Sequence, residues 1–230
     1  MSLFDFELGE LKNRLLTMAS HTEVAVKQAV NALVTRDYDL ALQVRTDDTV
    51  IDELEVEVDE MALRLLAKAP LARDLRLIAV TMKISHNLER VGDEASKIAK
   101  RARDLSEEPA LRVRVDIPGL AEVVLRMLKD SLDAFVDKNP AAARALIPQD
   151  KEIDALNKEI HHQLVEEMVH NPETITRCLH LMVVAKSLER IADHAKNVAE
   201  EVVFLCEAED IRHSRRLRGQ LFRHDSESAG

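Results

Sequence analysis

Apolar residues recur along nearly the whole chain at steps of three and four. Ile51, Leu54, Val58, Met61 and Leu65 form one such series. Ile84, Leu88, Val91, Ala95 and Ile98 form a second, and Leu188, Ile191, Ala195, Val198 and Val202 a third. Alternating steps of three and four keep side chains on one face of an α-helix, so each series is a seam that a helix buries against its neighbours.

Helix breakers divide the seams. Asp37 and Asp39 are placed to cap a helix starting near 38, and Pro70 interrupts the next run. Pro109 and Pro118 bracket a loop, with Pro118 suited to a first helical turn. Asn139-Pro140 and Asn171-Pro172 read as cap-then-proline starts. In such a start the Asn side chain accepts a free backbone N–H, and Pro has the right φ and no donor to waste. The spacing predicts six helices, over 5–36, 38–68, 71–104, 118–138, 140–170 and 172–207, followed by a polar Arg/His-rich tail over 208–230.

The six helices form two sets of three. Leu88-Glu89-Arg90-Val91-Gly92-Asp93 returns as Leu188-Glu189-Arg190-Ile191-Ala192-Asp193, and Asp48-Thr49-Val50-Ile51-Asp52 returns as Asp150-Lys151-Glu152-Ile153-Asp154. Asn31-Ala32-Leu33-Val34 likewise returns as Asp133-Ala134-Phe135-Val136. A period near 100 residues is too long for an ordinary helical solenoid. The expected fold is all-α, two tandem, sequence-related three-helix bundles, over 1–106 and 116–207.

Composition agrees. Of 230 residues, 46% are hydrophobic and 32% charged, with only 5 Gly and 3% aromatics, which argues against sandwiches and barrels. The net charge of −10 repels a nucleic-acid backbone and excludes DNA or RNA as the first expectation. Cys178 and Cys206 form neither a disulfide framework nor a zinc finger and read as small buried residues in a reducing cytosol. The start of the chain lacks the pattern of a signal peptide, and no apolar run is long enough to span a bilayer.

Four segments that the duplication pairs carry an acid, three residues and an Asp: Asp48/Asp52, Glu89/Asp93, Asp150/Asp154 and Glu189/Asp193. With 42 acids in the chain, roughly seven or eight such pairs arise by chance, so the spacing alone decides nothing. Their placement says more. If the second and third helices of each half form an antiparallel hairpin, Asp52 with Glu89 and Asp48 with Asp93 are equidistant from a turn at Pro70. Asp154 with Glu189 and Asp150 with Asp193 are likewise equidistant from a turn at Pro172. Each hairpin then gathers four carboxylates. Like charges one turn apart cost about 0.2–0.5 kcal/mol per pair. Multivalent cations with oxygen ligands (Fe, Mn, Mg, Ca or Zn) would offset that cost. With Leu88 and Val91 on the seam, Glu89 and Asp93 point outward, unlike the inward carboxylates of a di-iron core.

The segments Asn87 to Asp93 and Ser187 to Glu200, with the duplication, resemble the paired signatures of PhoU proteins over about residues 5–207. The resemblance implies two three-helix bundles with acid-xxx-Asp motifs that hold multinuclear metal clusters on the surface. Carried over, the metal ligands are Asp48, Asp52, Glu89, Asp93, Asp150, Asp154, Glu189 and Asp193. The resemblance also implies a cytoplasmic, non-catalytic regulator that restrains phosphate-starvation signalling when phosphate is plentiful. The implied partners are the ATPase subunit (PstB type) of the phosphate transporter, a PhoR-type sensor histidine kinase and a second copy of the chain. Contact with the membrane is indirect, through those partners. The tail after about 208 has no counterpart in the family core.

Several sharper readings weigh less. Ile84-Ser85-His86-Asn87-Leu88-Glu89 is faintly similar to a kinase phosphoacceptor box, but no Pro follows and no nucleotide loop exists, so His86 reads as a surface neighbour of the acids. Glu159/His162 and Glu167/His170 have di-iron spacing, yet both lie on one helix. Arg90 and Arg190 read as partners of nearby acids. The basic tail, with Ile211, Leu217, Leu221 and Phe222 interspersed, is a candidate for docking on a partner or anionic surface. A carboxylate-bridged metalloenzyme or metal-storage protein is the alternative function.

Overall fold

The computed structural model describes residues 3–68, 71–113 and 115–211. Among the described residues seven α-helices run in order: α1 (Leu3–Thr35), α2 (Tyr38–Leu66), α3 (Ala72–Ser106), α4 (Ile117–Val136), α5 (Pro140–Leu146), α6 (Asp150–His170) and α7 (Ile175–Glu207). Single 3-10 turns, Ile147–Gln149 and Pro172–Thr174, precede α6 and α7. No strand occurs among the described residues. The helices α1, α2 and α3 form one bundle. In the other, α5 and α6 together occupy the place of one helix beside α4 and α7.

The helix expected over 140–170 is therefore interrupted. Pro148 lies in the 3-10 turn between α5 and α6, where its missing N–H and its ring bar an unbroken α-helix. The starts at Asp37, Asp116 and Asn139 are capped by side chains: Asp37 accepts from the Leu40 N–H at 2.9 Å, Asp116 from Gly119 and Asn139 from Ala142. Asn171 departs from the expectation. Its side chain donates to Glu167 at 3.1 Å instead of capping, because a 3-10 turn intervenes and α7 starts only at Ile175. Pro70, the expected breaker, lies outside the described residues, as does the tail from 212 onward.

The two halves end their first helices alike. Arg36 and Lys138 both adopt positive φ, at 58° and 50°. The following N–H groups, of Asp37 and Asn139, each close back on Ala32 and Ala134 at 3.0 Å. This is the 6→1 bond of a left-handed helix terminator, a position that glycine usually fills.

The core is continuous across both bundles. Ile84, Leu88, Val91 and Ile98 of α3 share one buried cluster with Leu188, Ile191, Val198 and Val202 of α7. These helices run antiparallel: Lys83 pairs with Glu201 at 3.0 Å at one end, and Arg101 meets His180 at 3.4 Å at the other. Both predicted seams therefore face each other. Burying one such Leu or Ile side chain contributes about 1.5–3 kcal/mol, so the joint between the repeats is a major part of the stability. The polar faces of α3 and α7 are left to α2 and α6, which sets the candidate site.

Candidate metal centre

In the first repeat the acids of α2 and α3 come together on the outer side of the hairpin. Gly92 allows this: a Cβ there would meet Ile51 Cδ1 at 3.0 Å and Asp48 Oδ1 at 3.3 Å. The close approach brings Asp48 and Asp52 within range of Asp93. Burial, then the charges of Asp52 and Asp93, hold the Asp48 carboxyl above its usual range, while a hydrogen bond from Ser96 opposes the shift. Asp52 is raised by burial and by Asp93 and Glu55. Glu89 is raised by burial and by Asp93 and Glu55, with Arg90 and His86 opposing.

Glu89 gathers with Glu55 and His86, where equidistance from the turn had set it opposite Asp52. The three form a triad whose ligand atoms all lie within 4.8 Å of one another. His86 Nδ1 is 3.2 Å from Glu55 Oε1. Glu89 Oε2 is buried and accepts no hydrogen bond of good geometry, although Arg90 Nε is 3.2 Å away. Arg90 also reaches Asp93 at 3.3 Å. Asp59, one turn after Glu55, has its carboxyl raised by burial and by Glu55. Glu55 and Asp59 themselves have the acid-xxx-Asp spacing but lack an acidic counterpart in the second repeat, where Asn157 and His161 stand. Their spacing, three and four residues on from Asp52 and Glu55, was the available signal.

The second patch is built differently. Asp193 has its carboxyl raised by burial and by Asp150 and Glu189. Two lysines, however, lie among these acids: Lys196 Nζ is 2.7 Å from Asp150 Oδ2, and Lys186 Nζ is 2.6 Å from Glu189 Oε1. Asn157 donates to the other Glu189 oxygen. Asp154 shares a face of α6 with Asp150 but forms no hydrogen bond or ion pair with a described residue. By the repeat, Asn157 stands where Glu55 stands, Lys186 where His86 stands, and Lys196 where Ser96 stands. The first patch holds more carboxylates than its one guanidinium, Arg90, can pair, together with an imidazole; the second contains two lysines of its own.

That donor set suits a cation in the first repeat. Carboxylates and one imidazole match Fe, Mn or Zn, and the half-exposed position leaves room for further ligands. The buried Glu89 Oε2, which accepts no hydrogen bond and has only the Arg90 guanidinium beside it, is the atom most improved by an ion, because a buried carboxylate oxygen without a hydrogen bond is costly. Among the described residues the triad is the one group of three such side chains so placed. The di-iron spacing on α6 converges on nothing: His162 pairs with Glu166 at 3.3 Å, and His170 contacts the Glu166 carbonyl. Cys178 is buried and Cys206 half-buried, both as free thiols. Arg190 does not mirror Arg90; it crosses to Glu94 of the first repeat at 3.2 Å.

Comparison with known proteins then decides the family. The family model "PhoU domain" matches twice, at residues 15–102 and 117–202. The chain belongs to the PhoU family. It is 41% identical over 212 residues to the "Phosphate-specific transport system accessory protein PhoU homolog" of Pseudomonas aeruginosa, covering 91% of this chain and 88% of that protein. It is 39% identical over 214 residues to the protein of the same name from Aquifex aeolicus, covering 93% and 96%. The crystal structure of PhoU from Pseudomonas aeruginosa superposes with a TM-score of 0.86 at 39% identity, over 90% of this chain and all of that one. The phosphate transport system regulatory protein PhoU from Streptococcus pneumoniae gives 0.84 at 27% identity, over 90% and 99%. The duplicated bundle is thus the PhoU fold over nearly its whole length.

Proposed function

We propose that this chain is an accessory protein of a phosphate transport system and restrains phosphate-starvation signalling. The observation that carries the reading is the double PhoU match, with 41% identity to a phosphate-transport accessory protein over 91% of the chain. The chain acts by contact, not catalysis, in the cytoplasm. Its partners are the transporter's PstB-type ATPase subunit and a PhoR-type sensor kinase, and it pairs as a homodimer. No helix among the described residues is long and apolar enough to cross a membrane, so a membrane-bound partner is met from outside the bilayer.

The metal belongs chiefly to the first repeat. Glu55, His86 and Glu89 would hold it, with Asp48, Asp52 and Asp93 adjoining; the lysines beside Asp150 and Glu189 already supply positive charge in the second. A bound cation would cancel much of the negative charge of the first patch and so change which partner surface it accepts.

Two measurements test this. In a host lacking its own PhoU-family protein, expression of the chain is expected to return a phosphate-starvation reporter to its repressed level in high phosphate. Purified chain is expected to form a complex with the ATPase subunit or the kinase's cytoplasmic portion. A reporter that stays derepressed at normal expression, together with no complex in any phosphate or metal condition, would falsify the regulatory reading.

A further inference from the structure

A site of opposite charge lies where the two repeats meet. A cavity of about 500 Å³ opens between helix ends and is lined by three cations, Lys12 of α1, Arg73 of α3 and Lys138 just after α4. Leu8, Leu77 and Leu205 form its apolar wall, and Cys206 adjoins. Asp74 is its one acid, and it sits 3.5 Å from its neighbour Arg73. In a chain of net charge −10, three cations against one acid in a cavity is a reversal of the general balance.

Arg73 pairs with Asp74, but the two lysines are not there for pairing. Neither Lys12 nor Lys138 forms a hydrogen bond or ion pair with a described residue. Their proximity is unfavourable: burial, then the charge of Lys138, lowers the Lys12 ammonium below its usual range. The acids at hand are engaged elsewhere, Glu7 by Lys68 at 2.9 Å and Glu207 by Arg144. Lys138 carries a second cost, since its φ of 50° is a conformation that glycine adopts more readily. Its counterpart Arg36 uses the same conformation to donate to the Ser106 and Glu108 carbonyls; Lys138 gains no such contact. The N-terminus of the 35-residue helix α3 adjoins the cavity, and its cap residue Leu71 supplies no side-chain hydrogen bond. The positive end of that helix dipole adds to the field.

We propose that this cavity binds a phosphorylated small organic molecule. Its phosphoryl group sits on Lys12, Lys138 and Arg73, and its apolar part lies over Leu8, Leu77 and Leu205. A multiply charged tetrahedral oxyanion answers three cations from separate elements, one a guanidinium fork, better than a single carboxylate does. The volume lies in the range of small-molecule pockets, about 300–1,000 Å³, so a bare phosphate leaves much of it unfilled. The ligand would tie α1 and α3 of the first repeat to α4 and α7 of the second. The inference does not rest on the transport role and stands or falls apart from it.

The test is isothermal titration calorimetry of the full chain at low salt with EDTA present, so that no metal on the acidic patch contributes. The probes are ADP, ribose 5-phosphate, inorganic phosphate and sulfate. The expected result is binding of an organic phosphate in preference to both inorganic ions. The double variant Lys12→Gln/Lys138→Gln should weaken it about tenfold or more, as loss of charge-assisted hydrogen bonds predicts. Lys12→Arg/Lys138→Arg should retain it, and Lys151→Gln, on the exposed face of α6, should leave it unchanged. The double Gln variant should melt no lower than the parent, since neither lysine has a partner to lose. No heat from either organic phosphate, affinity unchanged in the Gln variant, or equal binding of sulfate each overturns the proposal.

Discussion

Arg190 of the second repeat reaches 3.2 Å from Glu94 of the first, across the joint between α7 and α3. The two helices are antiparallel copies, so the pseudo-equivalent position is His194, and its Nδ1 sits 3.0 Å from Asn87 Oδ1. One half of the crossing is an ion pair and the other a neutral hydrogen bond. Burial lowers the His194 imidazole below its usual range, with Glu94 opposing, which keeps that half uncharged at neutral pH.

Glu94 is 4% exposed and its pKa is lowered on balance. Burial raises it, but hydrogen bonds from Ser187, Lys97 and Arg190 outweigh the burial. Glu94→Ala is expected to destabilise the chain by about 1–2 kcal/mol, a figure reduced because Lys97 and Arg190 are half-exposed. A depressed carboxyl contributes stability above its unfolded pKa and loses it as pH falls through the folded value. Urea unfolding at pH 7 and at about pH 3 checks both parts: the gap between parent and variant should shrink at the lower pH. An equal gap at both pH values would assign the cost to packing alone.

The two acidic patches should answer the same substitution with opposite signs. Asp52→Asn is expected to stabilise the metal-free protein by about 0.3–0.5 kcal/mol for each like-charge pair removed. The Asp52 carboxyl is raised on folding, so its ionised form opposes folding, and the opposition sets in as pH rises past the unfolded value. The gain should therefore vanish near pH 3, where parent and variant are both neutral. Asp150→Asn should instead lower stability by up to about 1 kcal/mol, because Lys196 loses its partner in a half-exposed pair. Thermal melts in EDTA compare the two; the same sign for both would refute the asymmetry.

The asymmetry also predicts a transplant. Asn157→Glu with Lys186→His places the side-chain types of the first triad beside Glu189. Metal content by elemental analysis, after incubation with Fe, Mn or Zn, should rise by about one ion per chain. Glu55→Gln with His86→Ala should lower it. A transplant that binds no more than the parent would show that the donor set alone does not make the site.

Lys138 invites a stability trade. Lys138→Gly removes a strained left-handed lysine and one of two repelling charges. The relief, about 0.5–1 kcal/mol after the entropic cost of glycine, should raise Tm by roughly 1–3 °C. The same change at Arg36 should not help, because its bonds to the Ser106 and Glu108 carbonyls are lost. Differential scanning calorimetry of both variants decides it, and a fall in Tm for Lys138→Gly would mean that Lys138 has a structural partner.

The helical periods, the caps at Asp37 and Asn139 and the duplication were legible in the one-dimensional pattern. Local backbone chemistry determines each of them, and apolar steps of three and four leave no other face to bury. Pro148 was readable in principle, since a ring without an N–H breaks a helix wherever it falls. Which seams meet was not. The facing of α3 and α7, and with it the Glu94–Arg190 bridge, depends on contacts between residues almost 100 positions apart. The pairing of the acids was only partly legible. Equidistance from a turn correctly put Asp48 and Asp93 near each other, but the close approach at Gly92 and the slant of packed helices put Glu89 beside Glu55 and His86. Apolar period, breakers and repeat were enough to specify an all-helical, duplicated chain with two acidic hairpins. Contacts between helices set the rest: Lys196 meets Asp150 in one hairpin, Glu55, His86 and Glu89 gather in the other, and three cations converge between the repeats. Part of the compensation is local, Arg90–Asp93 and Lys186–Glu189 lying three residues apart on one helix, but Lys196–Asp150 is a contact of a few ångströms across helices, which no spacing within a helix encodes.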